Sequence, residues 1–215
     1  MNFHWPNCST LCAALLGVFL VSGCLNAAPV SVGQEVAVLQ IQIGKDRALR
    51  QVIFGLYDNA APATVANFKE LAKNRFYRGI RIHRAFPNSL IQTGDPLTRV
   101  GLFSPRRPLR VGTGGPGFTL PAEIRAKHVR GAVAMARLPD KINPTKSSSG
   151  SQFYVCLEPF PKLDGEYTVF GEVLEGLDVL DEISNLPADS NDFPLPNVVI
   201  RSVTIQPRFS APAGP

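Results

Sequence analysis

Apolar and polar positions alternate along most of this chain at the spacing of strands, with two interruptions at the spacing of helices. Residues 36–43 read Val-Ala-Val-Leu-Gln-Ile-Gln-Ile, apolar at first and alternating afterwards, which predicts a strand. Gly44, Lys45 and Asp46 read as a turn, and residues 49–57 return as a second strand of the same hairpin. Val65, Phe68, Leu71 and Ala72 then recur at helical spacing, with Lys69, Glu70, Lys73 and Asn74 between them. Pro62 stands where a first helical turn tolerates a missing N–H, and Gly79 follows the end. Further strands are predicted at residues 80–86, 90–93, 132–137, 153–157, 168–173 and 198–206, with a second short helix over residues 177–184 and a Pro-rich loop at 185–197. Many short strands with only two helices predict a mainly-β fold, an antiparallel barrel or sandwich rather than a doubly wound sheet.

The first residues follow a different pattern. Residues 1–23 contain no Lys, Arg, Asp or Glu, and residues 11–21 are nearly all apolar. That run is short for a membrane span, which needs about 20 apolar residues, and it fits the apolar region of a signal peptide. Val21-Ser22-Gly23-Cys24 resembles the lipobox of bacterial lipoproteins, in which small residues precede a Cys that becomes a lipidated N-terminus. Val21 stands where that motif usually has Leu, and the leader lacks the usual basic residue. A plain cleaved signal and an uncleaved anchor therefore stand as alternatives. The expected organisation is a signal peptide at 1–23, a lipid-anchored linker at 24–34, one domain at 35–208 and a flexible tail at 209–215.

Composition adds little to this picture and removes several function classes. The 215 residues are 45% hydrophobic, enough for one core. A net charge of +5 without a Lys/Arg block gives no electrostatic footprint for nucleic acid; Arg106, Arg107 and Arg110 are broken up by Pro105 and Pro108. Cys8, Cys12 and Cys24 lie in or at the end of the leader, so Cys156 is alone in the body and is expected to be a buried, inert thiol. The Gly-rich residues 112–117 lack the Gly-Lys-Ser/Thr ending of a phosphate loop. There is no Gly-x-Ser-x-Gly, and His83 and His128, without Cys partners, do not suggest zinc.

Two segments call for chemistry. Residues 82–95 read Ile-His-Arg-Ala-Phe-Pro-Asn-Ser-Leu-Ile-Gln-Thr-Gly-Asp, placing Arg84 and Gln92 in strand-like apolar runs. Residues 149–154, Ser-Gly-Ser-Gln-Phe-Tyr, place Gln152 directly before two aromatics. Taken singly, each polar residue is accounted for by the exposed face of an edge strand or by a strand start.

Read together, they resemble the cyclophilin family. The first segment is similar to the signature Phe-His-Arg-Val-Ile-Pro-x-Phe-x-x-Gln-Gly-Gly-Asp, and residues 150–154 to Gly-Ser-Gln-Phe-Phe. Residues 163–171, Leu-Asp-Gly-Glu-Tyr-Thr-Val-Phe-Gly, are similar to Leu-Asp-Gly-x-His/Tyr-x-Val-Phe-Gly. Residues 112–118, 121–123 and 131–136 also resemble family segments, in the family's order. The resemblance implies a closed eight-stranded antiparallel β-barrel capped by an α-helix at each end. It also implies peptidyl-prolyl cis-trans isomerase activity on proline-containing polypeptides, without metal or organic cofactor.

By the same resemblance, Arg84, Gln92 and Gln152 are the catalytic residues. Ser89, Leu90, Tyr154, Leu163 and Tyr167 line the substrate pocket, and the backbone of Ala136 and Arg137 pairs with the residue before proline. Ser89 departs from the family's Phe, which implies weaker proline burial unless Phe86 compensates. It also leaves open a catalytically weak peptide-binding or chaperone module. Lys162 replaces the Trp of cyclosporin-sensitive members, which implies weak cyclosporin binding. Residues 138–148 form a longer loop than the family's. The leader implies an extracytoplasmic protein held to a membrane through Cys24, and with no clear oligomer interface in the sequence a monomer is expected.

Overall fold

The structure is a computed structural model that describes residues 29–101 and 111–208. The leader, Cys24, Arg106, Arg107, Arg110 and the tail from 209 lie outside them. The strands are β1 (Glu35–Ile43), β2 (Arg50–Leu56), β3 (Arg84–Phe86), β4 (Leu90–Thr93), β5 (Thr119–Leu120), β6 (Ala132–Arg137), β7 (Ser148–Cys156), β8 (Val169–Glu175) and β9 (Val198–Pro207). The helices are α1 (Pro62–Lys73) and α2 (Leu177–Ser184). Pairing is antiparallel throughout, in the order β3-β4-β7-β6-β8-β2-β1-β9, with β5 on β7.

A closed eight-stranded barrel is not what these strands make. The sheet has nine strands and curls into an open half-barrel whose path ends at β3 on one side and β9 on the other. Residues 79–83 pass beside β9 and bond to it through the backbone, Gly79 N–H donating to Ile200 O at 2.8 Å, Ile200 N–H to Ile80 O at 2.9 Å and Ile82 N–H to Val198 O at 3.0 Å. The pairing there is nonetheless an isolated bridge, Arg81 to Val199, outside the named strands. β3 is only three residues long because Pro87 and Asn88, the latter at φ 55°, turn the chain back. The bonds from residues 79–82 hold the chain alongside β9 without making a named strand there, so the sheet path stays open between β3 and β9.

Strand periodicity gives the sheet two faces. The inner face carries Ala85, Ile91, Val133, Met135, Phe153 and Val155 into the main core, which α1 joins with Val65, Phe68 and Leu71. Phe153 sits at its centre, with ring centroids 5.7 to 6.2 Å from Phe54, Phe68, Tyr77 and Phe170. The alternate residues face outward: Ala132, Ala134, Tyr154 and Cys156 form a second apolar cluster, against which Leu90, Leu163 and Tyr167 pack. Cys156 is fully buried there, and burial pushes its thiol up to about 12, in keeping with an inert residue.

Two boundaries differ from the sequence expectation. β7 begins at Ser148, inside the predicted loop, because Ser148 and Ser149 pair with β5 and Ser148 also with β6; tertiary pairing overrides the weak strand propensity of serine. Residues 29–34, expected as linker, run along the body: Gly33 N–H donates to Leu56 O at 2.8 Å, and Asn59 Nδ2 donates to Pro29 O at 2.7 Å.

Truncating the central aromatic provides the test of this core. Phe153→Ala is expected to cost about 3–5 kcal/mol, read from the urea midpoint, because the surrounding rings relax only partly into the void; a loss below ~1 kcal/mol would show that the ring is not at the packing centre.

Candidate active site

The outer face of β3, β4, β7 and β6 is where the sequence's polar residues meet. Register sets Arg84 opposite Gln92, Gln92 opposite Tyr154 and Tyr154 opposite Ala134. Four neighbouring strands thus present a guanidinium, an amide, an aromatic ring and a methyl group in one row across the sheet. Gln152, one pleat along from Tyr154, is the diagonal neighbour of Gln92.

A chain of hydrogen bonds joins the polar members. Arg84 donates from a guanidinium nitrogen to Gln92 Oε1 at 3.4 Å. Gln92 Nε2 donates to Gln152 Oε1 at 3.0 Å, and Gln152 Nε2 donates to Gly114 O at 2.7 Å. Gln152 is buried, and its backbone N–H is held by Ser149 Oγ at 3.0 Å. Gly150 allows this strand to lie against the Gly-rich loop, since a Cβ there would stand 2.6 Å from Phe118 O. Arg84 itself is exposed, and its Cζ lies 5.0 Å from the Phe86 ring centroid, a cation–π contact that steadies the head of a long side chain.

Around this chain lies an open cleft of about 1770 Å³. Arg84, Gln92, Gln152, Leu90, Tyr154, Leu163, Tyr167, Ala136 and Arg137 all line it, so the structure brings together nine of the ten catalytic and substrate-pocket residues expected from sequence. Ser89 is the exception. It sits in the β3–β4 turn, donating to Phe86 O and accepting from Leu157 N–H, and is not part of the lining. Phe86 lines the cleft in its stead. Lys162 is exposed and also outside the lining.

Behind the floor lies His128, which no local sequence pattern marks. His128 is buried under Tyr154, its ring nearly parallel to the phenol ring with 6.1 Å between centroids. Its Nε2 is 3.0 Å from the Tyr154 hydroxyl and its Nδ1 is 3.0 Å from Asp164 Oδ1, which also accepts the His128 backbone N–H at 2.8 Å. These bonds hold the Asp164 carboxyl below the ordinary carboxylate range, and burial raises the Tyr154 phenol. With Asp164 accepting from Nδ1–H, Nε2 accepts from the phenol, and the floor ring is fixed in the sheet. The available signal was Tyr154 itself, a hydroxyl where the resembled motif has none.

Arg137 has its charge answered locally. It donates to Glu166 Oε2 at 3.0 Å and to Asp140, and stacks on Tyr167 at 4.6 Å. Arg84 lines the cleft and has no carboxylate partner among the described residues. The arrangement can therefore do one thing well: hold a fixed cation at the edge of an apolar notch formed by Phe86, Leu90, Tyr154 and Leu163.

The known proteins similar to this chain share one family description. Residues 38–205 match the family described as cyclophilin type peptidyl-prolyl cis-trans isomerase/CLD. The chain is 39% identical over 138 residues to peptidyl-prolyl cis-trans isomerase B of Bacillus subtilis, covering 63% of this chain and 84% of that one. It is 38% identical over 133 residues to a peptidyl-prolyl cis-trans isomerase of Helicobacter pylori, covering 60% and 71%. The crystal structure of a Cryptosporidium parvum cyclophilin type peptidyl-prolyl cis-trans isomerase superposes with a TM-score of 0.67 at 25% identity, covering 81% of this chain and 99% of that one.

His83, on the cleft wall beside Arg84, makes a pH test of this arrangement. Burial pushes its imidazole down from 6.5 to about 4, outweighing the opposite pull of Asp95. Between those values the unfolded chain binds the extra proton, so the contribution of the neutral ring to stability is complete above pH 6.5 and is lost as pH falls toward 4, by roughly 3 kcal/mol. Urea midpoints of the wild type are expected to fall faster than those of His83→Gln across that window; parallel curves would contradict a neutral buried ring.

Proposed function

The chain belongs to the cyclophilin-type peptidyl-prolyl cis-trans isomerases, and we propose that it does their chemistry with Arg84 as its electrostatic element, on polypeptides outside the cytoplasm. The protein accelerates rotation about X-Pro bonds and so assists protein folding. The observation that carries the role of Arg84 is its place, held by Gln92, unpaired by any described carboxylate, and bordering the apolar notch.

The chemistry asks for little else. Rotation about the amide faces a barrier of about 18–20 kcal/mol because the planar forms are resonance-stabilised, and uncatalysed exchange takes about tens to hundreds of seconds. No bond is made or broken, so acceleration comes from binding the twisted amide better than either planar form. As the amide twists, the prolyl nitrogen regains its lone pair and becomes an acceptor. A guanidinium that is always charged and already oriented stabilises that nitrogen with little reorganisation. Each ~1.4 kcal/mol of preference multiplies the rate about tenfold.

The remaining residues hold substrate. The proline ring sits on Tyr154 between Leu90 and Leu163, with Phe86 closing the side where Ser89 was expected. Gln92 and Gln152 orient Arg84 and offer amides to the substrate backbone, Tyr167 borders the ring, and the backbone of Ala136 and Arg137 pairs with the residue before proline. The weak peptide-binding alternative rests on Ser89 as the pocket wall; that Phe86 lines the cleft and Ser89 does not supports the active reading.

The extracytoplasmic assignment is supported by sequence. An uncharged leader with an apolar centre ends in Val-Ser-Gly-Cys, which supports cleavage before Cys24 and lipid attachment to its sulfur.

Two experiments test these assignments. In a proline-peptide isomerisation assay, Arg84→Ala is expected to lower kcat/KM about 10²–10³-fold, and Arg84→Lys to restore little of it, because a point charge cannot bond Gln92 and the prolyl nitrogen as a planar fork does. Activity unchanged in Arg84→Ala would remove Arg84 from the mechanism. For the anchor, mass spectrometry of the mature chain is expected to find an acylated N-terminal Cys24, with Cys24→Ser moving the protein from the detergent to the aqueous phase; an unmodified N-terminus elsewhere would contradict it.

A further inference from the structure

Asp95 follows β4 and is fully buried. Its carboxylate has no cationic partner among the described residues; it is solvated by backbone instead. Oδ1 accepts from Leu97 N–H at 2.8 Å, and Oδ2 accepts from Gly112 N–H at 2.6 Å and from Gly114 N–H at 3.4 Å. The loop rides directly on the carboxylate: a Cβ at Gly114 would fall 2.0 Å from Asp95 Oδ1. Gly114 thus gives its N–H to Asp95 and its carbonyl to Gln152.

That carbonyl decides how the site's amides point. A carbonyl only accepts, so Gln152 must turn its Nε2 to Gly114 and its Oε1 to Gln92. Gln92 must then offer Nε2 to Gln152 and Oε1 to Arg84, whose guanidinium only donates. Each amide could be reversed in isolation; between an obligate acceptor and an obligate donor neither can. From the buried carboxylate at one end of this series and the cation at the other, we infer that Asp95 is a positioning residue for catalysis, acting through the Gly114 loop on the orientation of Gln152, Gln92 and Arg84. Asp95 lies too deep in the protein to touch substrate; without it the Gly114 carbonyl is not anchored, Gln152 can reverse, and Gln92 loses the reason to present oxygen to the guanidinium.

The inference rests on the assignment of Arg84 above, and its test separates the two. In the full-length protein, Asp95→Asn is expected to lower kcat about tenfold in peptide isomerisation with KM changed less than about threefold. In a Gln152→Leu background, where the series is already cut, the same substitution is expected to change kcat less than about twofold. The Gln152 side-chain amide signals in ¹⁵N–¹H spectra are expected to move in Asp95→Asn. Gly114→Ala keeps the acid but sets a Cβ against Asp95 Oδ1, forcing the loop off the carboxylate from the other side; it is expected to show the same kcat loss and the same dependence on Gln152, a second variant of the same contact where Asp95→Asn does not fold. Equal kcat losses with and without Gln152, or unchanged kcat with a lowered melting temperature, would overturn the inference and make Asp95 purely structural. An active Arg84→Ala variant would instead sink the assignment on which it stands.

Discussion

The hydrogen bonds that run from Arg84 through Gln92 and Gln152 to the Gly114 carbonyl hold a charged fork at the rim of an apolar floor. A long, exposed arginine would otherwise spend its time among many rotamers, and ordering such a side chain costs up to about 2 kcal/mol. Here the order is set during folding, by strand register, an aromatic ring under the guanidinium and an acceptor of defined polarity. In the proposed mechanism substrate meets a cation that is already in place, which is the condition for stabilising charge that appears only as the amide twists.

That constraint explains the division of the sheet into two faces. Inward residues such as Ile91, Met135 and Phe153 build a core of close-packed rings, and their alternates Leu90, Ala134 and Tyr154 build the notch. A one-residue slip of β4 against β7 would send Gln92 into the core and expose Ile91, so the core's demand for apolar residues also fixes the site's register. The floor is stiffened from below by His128 and Asp164. The neighbouring cation Arg137 is paired with Asp140 and with Glu166, which Lys146 shares, whereas Arg84 has no carboxylate partner among the described residues.

Much of this could be read from residues close together in sequence. Arg84 and Gln92 share one segment and Gln152 sits beside Phe153 in another, so the strand pattern and the motif spacing both pointed to them. What could not be read depends on distant pairing. Phe86 lines the cleft and Ser89 does not, because a turn at Pro87 and Asn88 places Ser89 off it, and turn geometry is not visible in a three-residue offset. Ser148 and Ser149 are strand because β5 and β6 lie beside them. The open path between β3 and β9 departs from the closed barrel that the resemblance implied, because residues 79–82 bond to β9 without forming a strand of their own. His128 lies 26 residues from the Tyr154 hydroxyl it meets, beyond any local pattern.

The most direct measurement separates rotation from binding. Exchange NMR on a saturating proline peptide reports the cis–trans rate on the enzyme, and the same titration reports Kd. If a fixed guanidinium stabilises the twisted amide, removing the Arg84 side chain slows on-enzyme exchange by about two orders of magnitude while Kd stays within a few-fold. An exchange rate that stays at the wild-type value, with all the loss in Kd, would show that Arg84 grips substrate and takes no part in the rotation.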